Sequence, residues 1–241
     1  MSARAETLRV LSAGAAKGVV EALSGASATR AEQRIDATFD SAGAIRNAID
    51  GGTPFDLVIL PAAMLDTLAS QGLVDAASIA ALGRVPTGVA VAAGDPPPDV
   101  HDADALKAAL ERATALYCPD TVRATAGIHF IEVLRKLGVY DASLARLRAY
   151  PNGAKAMAAL AAQGPQGAIG CTQITEILYT PGVVLVAPLP APFELSTVYA
   201  VAVAVATVSA SSRAARAFAA HLAGDETLTL RRNGGFLDRS K

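Results

Sequence analysis

The strongest constraint on this chain is a rhythm, in which short apolar runs alternate with longer stretches of helical periodicity. Strands are expected at 8–12, 57–60, 88–92, 115–118, 167–171, 183–188 and 198–208. Helices are expected at 16–23, 43–50, 62–71, 103–112, 126–137, 154–162 and 211–223. A strand covered on both faces reads as a continuous apolar run, while each covering helix keeps a polar side, so the alternation specifies α/β architecture. Hydrophobic residues make up 52% and aromatics only 5%, so the interior is built from Ala, Val, Leu and Ile. At 241 residues the chain has room for two lobes of roughly 100–150 residues each. Pro96-Pro97-Pro98, inside the acidic stretch from Asp95 to Asp104, continues neither a helix nor a central strand and reads as a surface connection.

Charge and motif content narrow the function. The formal net charge is -1, with Lys and Arg scattered along the chain. No basic stripe is available to neutralise phosphates, so a nucleic-acid partner is not expected. Cys118 and Cys171 are the only cysteines, too few for a disulfide framework or a zinc quartet, and they read as buried thiols. No metal cluster, nucleophile elbow or phosphate-binding Gly-Lys-Ser/Thr loop is present, so neither a metal nor another cofactor is expected. The opening Met-Ser-Ala-Arg-Ala-Glu-Thr carries no basic segment followed by an apolar core. The expectation is a cytoplasmic protein as written, or a periplasmic one if a leader has been removed. The run 198–208 is well short of the roughly 20 residues a membrane-spanning helix needs.

The chemistry points to strand–helix turns. Ser12-Ala13-Gly14-Ala15-Ala16-Lys17 and Asp40-Ser41-Ala42-Gly43 lead into helices through small side chains. Thr125-Ala126-Gly127 and Asn152-Gly153 do the same later in the chain. Small residues let a ligand approach backbone N–H groups at a helix amino end, where unpaired donors and the helix dipole favour an anion. Gly and Ala also simply permit tight turns; the convergence of four such turns is what favours an anion site.

The order and wording of these segments resemble the molybdate-binding-like branch of the type II periplasmic binding proteins, from Leu8 to Phe236. The landmarks are Leu8-Arg9-Val10-Leu11-Ser12-Ala13-Gly14-Ala15, Ser41-Ala42-Gly43-Ala44-Ile45, and Gly51-Gly52-Thr53-Pro54-Phe55-Asp56 with the strand after it. Ala126-Gly127-Ile128-His129-Phe130, Gln173-Ile174-Thr175-Glu176-Ile177-Leu178, Pro181-Gly182-Val183 and Arg232-Asn233-Gly234-Gly235-Phe236 complete them. The resemblance implies two lobes, 1–86 with 191–241 and 87–190, each a mixed sheet flanked by helices, with a small anion held in the cleft between them and a hinge that closes over it. It also implies an ABC transporter partner if the protein is exported. Oligomeric state is left open.

Departures from the branch bear on the ligand. Ala15 and Ala42 stand where molybdate receptors carry serine hydroxyls, and the neighbourhood of Cys171 corresponds to their oxyanion-lining tyrosine. Ser12, Ala13, Gly14, Ala15, Ser41, Ala42, Thr125, Ala126, Gly127, Asn152, Gly153, Thr172 and Gln173 remain as a ligand-binding set suited to a larger, oxygen-rich anion. The wording of 126–130 and 173–178 is similar to the aconitate isomerases of the same fold, which implies a di- or tricarboxylate and an allylic proton shift. The alternative is a molybdate-type solute-binding protein without catalysis.

Such a shift needs a base and stabilisation of the developing dienolate. Lys17 and His129 are the catalytic candidates. Lys17 follows an anion turn, as a carboxylate partner or base, or as a solvated first-turn lysine. His129 sits near a helix start with a side chain that titrates near neutrality, or packs as a satisfied histidine. Arg123 is placed to clamp a carboxylate or to lie on the surface. Glu176, three residues after Gln173, reads as a cap or surface partner, and Tyr199 as a hinge or core residue.

Overall fold

This computed structural model describes residues 7–28, 34–206 and 209–238. The chain forms two compact units, Met1–Arg84 with Thr197–Lys241, and Val85–Ser196. The sequence places the divisions after residues 86 and 190.

The first unit opens with β1 (Thr7–Ala13), a 3-10 turn at Gly14–Ala16, α1 (Lys17–Ala28), β2 (Arg34–Asp40), α2 (Ala42–Asp50), β3 (Leu57–Pro61) and α3 (Ala62–Ser70). β1 lies between β2 and β3 and is parallel to both, with Leu8 opposite Ile35 and Leu11 opposite Val58. Leu57, Val58, Ile59 and Leu60 are all fully buried, as a strand covered on both faces requires. The β1–β3 edge is pinned by Arg9. Its guanidinium donates to both Asp56 carboxylate oxygens at 3.0 Å and its backbone N–H donates at 2.9 Å. Burial pushes the Asp56 carboxyl up, but the hydrogen bonds from Arg9 outweigh it and hold the group below the usual carboxylate range.

β4 (Ala80–Ala92) carries the chain into the second unit. There follow α4 (Ala103–Arg112), β5 (Leu116–Pro119), α5 (Thr125–Lys136), α6 (Tyr140–Ser143), β6 (Leu147–Tyr150), α7 (Gly153–Gln163), β7 (Ile169–Gln173), α8 (Ile174–Leu178) and β8 (Val183–Pro188). In this unit the strands run β8-β4-β7-β5-β6. β5 is parallel to β6 and β7, and β4 is antiparallel to β7 and β8.

Strand periodicity sorts the core onto two faces. On one, Val89, Leu116, Cys118, Ile169 and Cys171 pack with Leu106, Leu110, Phe130, Val133 and Leu134. On the other, Ala90, Tyr117 and Ala168 meet Met157, Leu160 and Ile177. Each fully buried Leu or Phe contributes about 1.5–3 kcal/mol relative to leaving it in water. On the second face Gly170 is set by fit, since a Cβ there would lie 2.6 Å from Met157 Cε and 2.8 Å from Leu160 Cδ2.

The chain returns through β9 (Ser196–Val203), antiparallel to β3, then α9 (Ser209–Ala223) and α10 (Leu228–Asn233). The strand expected at 198–208 is therefore corrected. It ends at Val203, Ala204 makes only an isolated bridge to Val74, 205–206 form a turn, and 207–208 lie outside the described residues. Two strands that the apolar-run reading passes over are β2 and β6, each paired on one side only, with β1 and β5 of its own unit. Their residues are half-buried or exposed along the whole length of each strand, because an edge strand needs no second apolar face. Among the described residues no helix is long and apolar enough to cross a membrane.

Candidate functional site

In both units the carboxyl ends of parallel strands feed helix amino ends, the place where open α/β sheets present ligands with backbone donors. What separates one helix end from another is whether the chain itself already satisfies its first-turn N–H groups.

The amino end of α7 is satisfied from within. Asn152 is the cap, and its side-chain oxygen accepts from Lys155 N–H at 3.0 Å. The two donors before it, Gly153 and Ala154 N–H, are met by the Glu176 carboxylate. The same carboxylate accepts the Thr172 hydroxyl at 2.6 Å and reaches back to the N–H of Gln173, the cap residue of α8, the carboxylate half of a capping box. Glu176 is only 5% exposed. Burial pushes its pKa up to about 7, against the downward pull of the Thr172 hydroxyl and the three backbone N–H groups. Gly153 is glycine because a Cβ would overlap the Glu176 carboxylate and the Thr172 hydroxyl.

The amino end of α5 is different. Its cap position is Ala124, whose side chain offers no acceptor to the first-turn N–H groups of Thr125, Ala126 and Gly127, in a helix of full length. Gly127 serves packing, since a Cβ there would overlap the carbonyl oxygens of Pro119 and Asp120. His129 lies four residues after Thr125, on the same side of the helix. Its Nε2 is 2.8 Å from the Phe193 carbonyl oxygen. A carbonyl only accepts, so in the neutral ring Nε2 carries the proton and Nδ1 keeps its lone pair.

Two buried polar side chains share the sheet face on which α5 packs. Gln173 stands opposite Thr87 in the β4–β7 register, and by alternation both point to the side of Val89 and Cys171. Gln173 is 3% exposed and Thr87 1%, yet both amide atoms of Gln173 and the Thr87 hydroxyl lack hydrogen-bond partners. Buried polar groups in folded proteins are nearly always partnered, so orphans in a native fold mark a place for ligand or ordered water. Thr175 Oγ1, at the start of α8, is a further one. Thr87 and Thr175 are absent from the sequence-derived set. Thr87 lies in a part of β4 ahead of the expected strand 88–92, and nothing local marks it.

In the first unit, Ser12 is fully buried and donates to the Ala13 carbonyl at 2.9 Å. Ala13 caps the Gly14–Ala16 turn with no side-chain hydrogen bond, and Gly14, Ala15 and Ala16 are buried. Lys17 is about one-third exposed and pairs with Glu21 at 3.7 Å. Ser41 caps α2 by accepting from Ala44 N–H at 3.4 Å, and its own N–H is held by the Asp40 carboxylate at 2.7 Å. Ala42, behind it, is buried.

Arg123 spends its guanidinium on Asp120, at 2.8 and 2.6 Å, within one turn. Glu176 is neither a surface partner nor a simple cap, because its carboxylate serves two helix ends at once. Tyr199 is buried in β9 opposite Pro61.

Comparison with known proteins bears on this arrangement. The family described as bacterial extracellular solute-binding protein matches residues 8–237. An aconitate isomerase from Pseudomonas sp. is 29% identical over 223 residues, 90% of this chain and 82% of that protein. Among solved structures, the periplasmic molybdate-binding protein of Azotobacter vinelandii superposes with a TM-score of 0.79 at 18% identity, covering 97% of this chain and 100% of that one. The sulfate-binding protein SubI of Mycobacterium tuberculosis H37Rv gives 0.71 at 15% identity, covering 97% and 87%. The chain belongs to the bacterial extracellular solute-binding proteins, and its fold is that of the molybdate-binding-like type II periplasmic binding proteins.

Proposed function

We propose that the protein binds a di- or tricarboxylate and interconverts cis- and trans-aconitate by an allylic proton shift. The observation that carries the reading is the second unit's uncapped α5 amino end, with His129 one turn along it and the orphaned Gln173 amide and Thr87 hydroxyl on the same sheet face. The likeness to an aconitate isomerase over 90% of the chain supports it.

In this reading His129 Nδ1 takes a proton from the allylic CH2 of the substrate, and the C–H electron pair moves into the adjacent carbon–carbon bond. The old double bond shifts its electrons toward the neighbouring carboxylate, giving a dienolate stabilised by the α5 N–H groups and the Gln173 amide. Return of the proton to the former vinylic carbon completes the isomerisation without net oxidation or consumption of water. Lys17, the Ser12–Ala16 turn, Ser41 and Ala42 are the first unit's own candidates for carboxylate binding. Lys17, one-third exposed and paired with Glu21, is given the charge-pairing role in this reading, and His129 the base.

The test follows the olefinic protons of trans- and cis-aconitate by NMR in deuterated buffer with native protein, Lys17→Ala and His129→Ala. Interconversion with deuterium uptake, abolished in His129→Ala and weakened in Lys17→Ala, is the expected result. Acids that persist unchanged while raising the melting temperature would instead make the protein a carboxylate receptor without catalysis, and the match to the solute-binding protein family supports a binding role of that kind. The absence of both turnover and stabilisation would exclude aconitate, and a thermal-shift panel of inorganic oxyanions would follow.

A further inference from the structure

The two full-length helix ends in the second unit that face the carboxyl edge of its sheet are treated in opposite ways. α5 has no capping side chain, whereas every first-turn donor of α7 is engaged, Lys155 N–H by Asn152 and the N–H groups of Gly153 and Ala154 by Glu176. Glu176 arrives from a different helix, α8, so its carboxylate is not the local cap of α7. It takes the position an external anion would take, with the donors such an anion would use and a hydroxyl from Thr172 in addition. The fit is tight enough that residue 153 has no room for a Cβ.

We infer that Glu176 is a resident anion that fills the anion position of α7, closes that helix end to external ligands, and leaves α5 as the second unit's external anion position. Because the same carboxylate holds the N–H of Gln173, it also fixes the β7–α8 turn from which the orphaned Gln173 amide is presented. Glu176 is thus a positioning and specificity residue that never touches ligand. It restricts the unit to an anion able to use one helix end and the neutral donors beside it. The inference deepens the carboxylate reading of this unit, but it is tested without turnover.

The experiment is anion rescue of Glu176→Ala, with formate as the probe, read as melting temperature at pH 8 and at ionic strength fixed with chloride. Truncation leaves the α7 donors facing a carboxylate-sized space. Glu176→Ala is expected to melt well below the native protein and to recover much of the loss in formate, with an apparent formate affinity at least about tenfold above that of the native chain. Glu176→Gln keeps the space filled and is expected to show no formate response. A folded Glu176→Ala that answers formate and chloride alike, or a native protein with the same formate response, would overturn the inference. If Glu176→Ala fails to fold with or without formate while Glu176→Gln melts like the native chain, the charge is not required and the inference falls as well. Formate rescue without aconitate turnover would remove the isomerase reading and leave this one standing.

Discussion

His129 Nε2 lies 2.8 Å from the carbonyl oxygen of Phe193, and the turn that carries this carbonyl is itself clasped by one residue. Thr87 N–H donates to Leu195 O at 2.8 Å, and Thr87 O accepts from Leu189 N–H at 3.0 Å. The imidazole is therefore oriented by the backbone around the same Thr87 whose hydroxyl is orphaned.

This geometry separates the structural role of His129 from a chemical one. A glutamine at 129 has an amide N–H at the reach of Nε2 and can keep the bond to Phe193, but it has no basic nitrogen. His129→Gln is expected to melt close to the native temperature and to lose aconitate turnover by about 10²–10⁴-fold, whereas His129→Ala loses both turnover and the anchored turn. Turnover retained in His129→Gln would remove the histidine as base.

A second prediction concerns backbone room. Gly153→Ala forces a Cβ into the Glu176 carboxylate and Thr172 hydroxyl and is expected to destabilise by about 1–3 kcal/mol, measured as the urea midpoint. At Gly25, in α1, an added Cβ would meet nothing within 4 Å, and φ is not positive. Gly25→Ala is expected to stabilise by about 0.5–1 kcal/mol, because alanine loses less conformational freedom in a helix. Opposite signs from the same substitution distinguish a glycine kept for fit from one that is merely tolerated.

The α/β alternation, the buried strands and the small-residue turns are legible in the sequence because each is a local pattern. β2 and β6 are not, because an edge strand buries too little to leave an apolar run. Gly127 and Gly153 look alike in the sequence, both small residues at a helix start. The carbonyls of Pro119 and Asp120 explain the first and a carboxylate from α8 the second. Neither partner is a helical neighbour. The same limit applies to Glu176, whose role depends on α7 and α8 meeting, and to Thr87, whose orphaned hydroxyl is recognisable only once β4 is paired with β7.

Glu176 makes stability depend on pH with an unusual sign. Its ordinary value of 4.5 rises to about 7 in the folded protein, chiefly through burial. Between these values the native state holds a proton that the unfolded chain has released, so stability from this group is complete below about 4.5 and is lost as pH rises toward 7, levelling off above it. The shift corresponds to about 3 kcal/mol across that window. Asp56, whose carboxyl is held low by Arg9, acts in the opposite sense at more acidic pH, so the native profile alone mixes the two. Subtracting the urea-derived stability of Glu176→Gln from that of the native protein cancels Asp56 and every other group common to both. The difference is expected to fall from pH 4.5 to 7 and then run flat. A difference that stays constant through the window would mean that the carboxylate is ionised at its usual pH despite burial, its hydrogen bonds from Thr172, Gly153, Ala154 and Gln173 outweighing the cost of removing it from water.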